Sequence, residues 1–373
     1  MEKLLGKFGN NMSVILDEEF WRGKKVFLTG HTGFKGSWLA LWLKSMGAIV
    51  KGYALEPSTN PNLYEIVGVN DLLESEINDI RDLPGLSSSL NSFCPDIVFH
   101  MAAQPLVRAS YKDPIETYST NVMGTVNLLE AARQCPSVKA VINITTDKCY
   151  ENDERLDGYI ESDPMGGKDP YSSSKGCAEL VTSAYRESYY KDQNIGLASV
   201  RAGNVIGGGD WAEDRLVPDI LRAFQQGHEV IIRNPHATRP WQHVLEPLSG
   251  YLLLAQKIYS DTIHYSGGWN FGPKDDGERS VEWILNKMQE LWPGSRWKLD
   301  MGDNPHEAML LKLNINKAHD LLDWTPTWDL EKTLSKIIEW HRKWVNGFNM
   351  QEVCLTEINE FSKDMINGYN RLY

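Results

Sequence analysis

Between residue 24 and about residue 207, short apolar runs alternate with stretches of helical periodicity. The runs at 25–29, 49–55, 96–101, 140–145 and 196–201 have strand length, and several are almost continuously apolar. Strands covered on both faces carry that pattern. Helix-length segments such as 38–46 and 117–134 lie between them. Regular strand–helix alternation predicts an α/β fold, a Rossmann-type doubly wound parallel sheet with helices on both faces.

Beyond residue 207 the pattern changes. Gly207-Gly208-Gly209 opens a loop, 218–226 is amphipathic, and 233–240 is polar and punctuated by proline. Ten of the thirteen tryptophans lie beyond residue 200, giving this half its own aromatic supply, most of it expected to be packing. The boundaries expected are an N-terminal extension over 1–21, a cofactor domain over 22–207, a smaller α/β substrate lobe over 208–345 and a polar tail over 346–373. A helix is predicted over Leu330–Val345. The tail is given no structure.

Composition narrows the function. Fifty acidic against 38 basic side chains give a net charge of −12 over 373 residues, which disfavours a nucleic-acid or anionic-membrane surface. No apolar run approaches ~18 residues, and the N-terminus shows no secretory pattern. The five cysteines form no CxxC pair and no Cys/His cluster at zinc spacing, so reduced thiols in the cytoplasm, and no metal site, are expected.

Chemistry enters where the first strand ends. Thr29-Gly-His-Thr-Gly-Phe-Lys-Gly36 is a GxxGxxG that opens into a helix. Gly30 would permit the tight turn, Gly33 the approach of a pyrophosphate, and Gly36 close helix–sheet packing. The anion would then lie on unpaired N–H groups at the helix N-terminus. His31 and Lys35 would either touch the pyrophosphate or face solvent. At the end of the second strand stands Ala54, with Glu56 the nearest acid and no arginine for a 2′-phosphate, so NAD is preferred to NADP.

Tyr171-Ser-Ser-Ser-Lys175 places two ionisable side chains on one helix face. Tyrosine is a poor base at neutral pH, and a nearby ammonium would favour its phenolate. Thr145-Thr-Asp-Lys-Cys-Tyr150 follows another strand, where the Thr146 hydroxyl could share a hydrogen bond with a sugar hydroxyl that Tyr171 deprotonates.

Together these strings resemble the extended short-chain dehydrogenase/reductase family, and within it the nucleotide-sugar 4,6-dehydratases, over roughly residues 22–345. The resemblance rests on Gly30/Gly33/Gly36, Asp79-Ile80, His100-Met-Ala-Ala-Gln104, Asn121, Thr146, Tyr171 and Lys175. It extends through Arg201-Ala-Gly-Asn-Val-Ile-Gly207, Asp214-Arg-Leu216 and Arg239-Pro-Trp-Gln-His-Val244. It implies a cofactor site of Gly30, His31, Gly33, Phe34, Lys35, Gly36, Asp79, Ile80, Ala102, Ala103, Gln104, Asn121, Thr145, Tyr171 and Lys175. It implies substrate contacts at Asn204, Arg215, Leu216, Arg239 and His306. Later segments are expected to return to the first domain.

Asp147-Lys148 discriminates within the group. Epimerase relatives lack acid–base groups after the Ser/Thr, and dTDP-glucose dehydratases carry Asp-Glu there. With GHTGFKG and RAGNVIGGGDW, this pair is most similar to the members acting on CDP-glucose. The implied reaction is C4 oxidation, loss of the 6-hydroxyl and return of hydride to C6. Tyr171 would act as C4 base, Thr146 and Lys175 in support and Asp147 as acid. The C5 base is open between Lys148, Tyr171 and another residue. The rivals are an epimerase or reductase, a dehydratase for another nucleotide sugar, and a cofactor-sensing protein without catalysis. The resemblance further implies a homodimer or homotetramer built on the helices of Asn121 and Tyr171, with Val122, Leu128, Leu129 and Ala132 compatible with its face and equally with a buried face inside the protomer. The product would serve deoxysugar biosynthesis for a surface polysaccharide such as O-antigen lipopolysaccharide.

Overall fold

The computed structural model describes residues 16–300 and 310–370. Twelve strands run in chain order: β1 Lys25–Thr29, β2 Ile49–Ala54, β3 Glu74–Ile77, β4 Ile97–His100, β5 Ala140–Ile144, β6 Gly196–Ala202, β7 Asn204–Ile206, β8 Glu229–Ile232, β9 Thr238–His243, β10 Gly267–Phe271, β11 Glu278–Ser280 and β12 Arg296–Leu299. Seven form one sheet in the order β10-β6-β5-β4-β1-β2-β3, and each of its pairings is parallel. The chain reverses direction across the sheet between β1 and β4, and ligand crevices of such sheets open at the strand C-termini beside that point.

The continuous apolar runs become central strands because both faces are covered. Val26, Leu28, Phe99 and Ile142 point into one core with Trp38 and Trp42. Phe27, Val98 and Val141 point into the other with Leu86 and Leu128. The helix after the glycine loop, Phe34–Ser45, is buried from Gly36 to Leu43, so it has no polar face to expose. A third core, with Ile206, Phe224, Ile284 and Leu334, belongs to the smaller lobe. There β11-β9-β7 and β12-β8 make small sheets of their own.

Several features depart from the sequence expectation. The segment expected as one helix over 117–134 is interrupted by a π-helical turn, Ser119–Met123, between Pro114–Tyr118 and Gly124–Arg133. β10, inside the half assigned to the substrate lobe, pairs with β6 as the outermost strand of the large sheet, a return to the first domain of the kind the resemblance implies rather than a departure from it. Trp21, placed in the extension, is fully buried in the main core. The supposed polar tail carries a helix, Met350–Asn370. Its Met350, Cys354, Ile358 and Phe361 form a buried stripe, and Phe361 sets its ring edge against Trp42 and Trp328, at 5.8 and 5.0 Å. That helix thus packs on both lobes.

Candidate active site

Gly30 adopts φ +76, and a Cβ there would lie 2.7 Å from the Ala102 nitrogen. At Gly36 a Cβ would come within 2.1 Å of the Gly30 carbonyl oxygen, so the helix can start this close to the turn only with glycine. Gly33 caps the helix without a side-chain hydrogen bond, and a Cβ on it would meet only the Gly30 carbonyl, at 3.4 Å. The result is a helix N-terminus with its N–H groups facing the crevice, a cradle suited to a pyrophosphate. The Thr29 hydroxyl accepts from the Met101 and Ala102 N–H groups, both at 3.1 Å, and so ties the end of β4 to the loop.

The two variable positions of the loop diverge. The His31 side chain is fully buried. Its Nε2 lies 2.7 Å from the Ser75 hydroxyl, its ring stands edge-on to Tyr64, and a Cβ on Gly52 would collide with it at 2.3 Å. Burial lowers its pKa to about 4. The expectation of a pyrophosphate contact or a solvent-facing imidazole is therefore corrected: the ring is a packing element beneath the loop. Lys35 turns the other way. Its Nζ lies 5.7 Å from the Tyr251 ring centroid, and its charge interacts with Lys175, Arg215 and Asp147. Burial first, and then the two cations, lower its pKa to about 7.

The end of β5 and the helix Pro170–Tyr185 carry the reactive groups. Asp169 caps that helix, accepting from the Ser172 N–H at 2.9 Å, with Pro170 at its first position; such a cap contributes about 1 kcal/mol. Tyr171 and Lys175 fall on its buried face. The Tyr171 hydroxyl hydrogen-bonds Thr146, and Arg215 also favours its phenolate, yet burial outweighs both and raises its pKa to about 12. Lys175 donates to the Ile144 carbonyl at 3.2 Å. Burial lowers its pKa to about 8, opposed by Glu179 and Cys149. The expected stabilisation of phenolate by Lys175 is thus carried in this arrangement by Thr146 and Arg215.

Thr145 and Thr146 point to opposite faces, as successive residues at a strand end do. Thr146 caps the 3-10 turn Asp147–Cys149 and donates to Asp147 Oδ1 at 3.1 Å. Thr145, expected at the cofactor, instead donates to Glu179 behind the sheet. Asp147 is 2 % exposed. Burial raises its pKa, against the opposing pull of Lys148, Thr146 and Arg239, and its Oδ2 has no hydrogen-bond partner. A buried carboxyl with one unpartnered oxygen, next to Thr146 at the end of β5, is suited to exchange a proton with a bound ligand.

The remaining expected residues divide into those facing the crevice and those behind it. Asn121, on the π turn, accepts from the Gln104 N–H at 2.8 Å and donates to the Gln104 carbonyl and to Ser174, at 3.0 and 2.8 Å. Its amide is used in bracing the loop against the Tyr171 helix and does not reach outward. Asp79, just after β3 and followed by buried Ile80, is gripped by Arg81 through both carboxylate oxygens, which lowers its pKa. Phe34 packs against Gly207, and Ala103 follows β4 beside Ala102.

On the other wall, Arg239 of β9 is 9 % exposed, its charge felt by Asp147. Arg215 caps the helix Leu216–Gln226 and pairs with Asp210 at 2.9 Å. Asn204 begins β7, in register with Trp241. His306 lies outside the described residues. Sequence reasoning passed over Asp210, Tyr251 and Arg108. Asp210 has a signal in the triple-glycine turn before it. Tyr251, whose buried hydroxyl has no hydrogen-bond partner, and Arg108, which pairs with Asp214 at 2.8 Å, have none.

Against known proteins, the chain matches the family model described as GDP-mannose 4,6 dehydratase over residues 27–337. It is 59% identical over 353 residues to the CDP-glucose 4,6-dehydratase of Salmonella typhimurium, an alignment covering 93% of this chain and 98% of that one. The chain belongs to the 4,6-dehydratase family of extended short-chain dehydrogenases/reductases.

Among solved structures, MoeE5 in complex with UDP-glucose and NAD superposes with a TM-score of 0.71 at 25% identity, covering 86% of this chain and 99% of that one. The dTDP-glucose 4,6-dehydratase of Bacillus anthracis in complex with NAD has the same fold, with a TM-score of 0.71 at 20% identity over 88% of this chain and all of its own length at 100%. Among the described residues of this 4,6-dehydratase family member, no group of three or more His, Cys, Asp or Glu is arranged to hold a metal ion. No described helix is long and apolar enough to cross a membrane.

Proposed function

We propose that the chain converts CDP-D-glucose to CDP-4-dehydro-6-deoxy-D-glucose and water, with NAD as a cofactor that is regenerated in each turnover. Asp147 carries the reading: a buried carboxyl with one unpartnered oxygen stands next to Thr146, whose hydroxyl also hydrogen-bonds Tyr171. A 4-epimerase needs the tyrosine and no such acid.

The glycine cradle fits the pyrophosphate of NAD, Asp79 and Ile80 lie on the side of the adenosine, and Tyr171 and Lys175 lie where the nicotinamide riboside would end. When bound, NAD supplies the acceptor for hydride from sugar C4 and its donor to C6. Tyr171, as the phenolate that Thr146, Arg215 and the positive charge of bound NAD⁺ would favour, takes the proton of the 4-hydroxyl. Lys175 orients the riboside. Asp147, which burial favours in its protonated form, gives its proton to the departing 6-hydroxyl. The C5 proton, acidified by the adjacent carbonyl, is assigned to Lys148 in its unprotonated form, next to Asp147 on the same turn, and a proton returns to C5 as C6 receives its hydride. Asn204, Arg215, Leu216 and Arg239 hold the nucleotide diphosphate, with His306 assigned beside them. The positive potential of Arg215, Arg239 and Lys35 is local, inside a chain whose net charge is −12.

We assign the chain to the cytoplasm, in keeping with five free cysteines, and to a homodimer or a homotetramer. Leu128, Leu129 and Ala132 lie inside the protomer's own core and do not supply that interface. Exposed Ile115, Tyr118, Met123 and Leu180, on and beside the same helices, are the apolar groups available to it.

Incubation of purified protein and NAD⁺ with CDP-glucose tests the reading. The expected product is lighter by one water; an epimer of unchanged mass refutes the dehydration. Asp147→Asn should still exchange the C4 hydrogen while releasing no water, and full dehydration by that variant rejects the acid role.

A further inference from the structure

Behind the reactive groups lies a buried ion pair that the mechanism above does not use. Glu179 is on the Tyr171 helix, four residues after Lys175, and is 4 % exposed. Its carboxylate accepts from the Thr145 hydroxyl, from Ser199 at 2.6 Å, and from Arg201 through Nε and a terminal nitrogen, at 2.9 and 2.8 Å. The other terminal nitrogen of Arg201 donates to the Tyr150 hydroxyl at 2.6 Å and to the Glu161 carbonyl at 3.0 Å. Tyr150 then donates to Asn270 of β10 at 2.7 Å. One carboxylate thereby joins the helix of Tyr171 and Lys175, the end of β5 just before Thr146, and β6. Through Arg201 it also holds the residue that closes the Asp147–Cys149 turn.

Burying such a pair brings little net stability, because desolvation offsets most of the attraction, and apolar residues of the same volume often serve as well. Its position suggests a different return. We propose that Glu179, oriented by Arg201, is a positioning residue for the reaction. It fixes the Tyr171 helix against the strand end carrying Thr146, Asp147 and Lys148, and it supplies the negative charge that faces the Lys175 ammonium.

The groups around that ammonium make the need for an anion concrete. From the glycine-loop helix comes Lys35, and from β4 comes His100, whose imidazole burial lowers to a pKa of about 3 and so keeps neutral. From the turn comes the Cys149 thiol, which burial pushes well up and so keeps protonated. Glu179 is the ionised acid among them, its pKa lowered by Arg201, Ser199 and Thr145 despite burial. Arg186 also feels its charge, from the far end of the helix. With the carboxylate in place, Lys175 retains a pKa of about 8 although fully enclosed. Without it, desolvation acts unopposed and the lysine loses its proton at lower pH.

This inference rests on the assignment of Lys175 to the riboside, and it is tested by pH profiles. In the native enzyme, kcat for CDP-glucose should fall as Lys175 deprotonates, on an alkaline limb centred near pH 8. Glu179→Gln should move that limb down by about one pH unit or more, with the loss in kcat and with KM for CDP-glucose nearly unchanged. Glu179→Asp should restore its position. Ser199→Ala removes one neutral hydrogen bond from the same carboxylate and should leave the limb in place. If Glu179→Gln does not fold, the Glu179→Gln/Arg201→Met double variant removes both charges at similar volume, and the same downward shift is expected. The pH dependence of NAD⁺ affinity reports the displacement without turnover, so failure of the CDP-glucose reading leaves the test intact. A limb that stays in place in the charge-removing variants, or that Ser199→Ala moves equally, overturns the proposal. So does a native profile with no alkaline limb.

Discussion

Thr146, Asp147, Tyr171 and Lys175 occupy a strand end and a helix fixed by buried hydrogen bonds, with Lys175 anchored on Ile144 and Glu179 clamped between β5 and β6. The loop that faces them is held differently. Arg108 of the cofactor half meets Asp214 across the cleft at 2.8 Å, Arg233 approaches the same carboxylate at 3.9 Å, and Arg215 pairs with Asp210. The Arg108 and Asp214 side chains are more than a third exposed, 39% and 36%. Exposed pairs of this kind are worth at most about 1 kcal/mol. The difference separates two tasks. Chemistry needs groups that cannot shift by an ångström, whereas the Arg108–Asp214 contact across the cleft can open and close at little cost; Arg215, whose partner Asp210 is 7% exposed, is held more firmly.

Substitutions on the two sides should differ accordingly. The largest effect is expected for Tyr171→Phe, which removes the proposed C4 base and should lower kcat by about 10²–10⁴-fold, with KM little changed; steady-state kinetics at saturating NAD⁺ measures it. Next comes Gly36→Ala. Its Cβ would meet the Gly30 carbonyl at 2.1 Å, so the loop must move, at a cost of about 1–3 kcal/mol, seen as a lower melting temperature and weaker NAD⁺ binding by calorimetry. Arg239→Ala removes the charge-assisted contact proposed for the diphosphate and should raise KM by about 10–100-fold. The smallest effect is expected for Arg108→Ala, a change of KM within about five-fold that disappears at high salt. If Arg108→Ala damages kcat as much as Tyr171→Phe does, the loop is part of the rigid machinery and the distinction fails.

The reading of the sequence succeeded where periodicity and chemistry agree. The five long apolar runs all became parallel strands of one sheet, because continuous burial on both faces leaves few alternatives. β10 was missed because Gly267-Gly268 looks like a turn. In the fold, Gly268 is small because Arg201 lies against it, 2.7 Å from where a Cβ would sit. The helix Met350–Asn370 was missed because its apolar positions, Met350, Val353, Cys354, Ile358, Phe361 and Met365, are spread through an otherwise polar segment. At the site, residue types pointed to the strand ends of one sheet, yet the direction of each side chain was not readable. His31 and Thr145 carry polar groups that could serve a cofactor and instead satisfy Ser75 and Glu179. Asn121 could be placed on a helix but not on the π turn that aims it at Gln104.

The central claim is that one hydride leaves C4 and returns to C6 within the same molecule while water is lost between. CDP-glucose carrying deuterium at C4 tests it directly, in a single incubation with the enzyme and NAD⁺. The account predicts a product one water lighter that retains the deuterium, now at C6. A product of unchanged mass, or one that has lost water but carries no deuterium at C6, would contradict it.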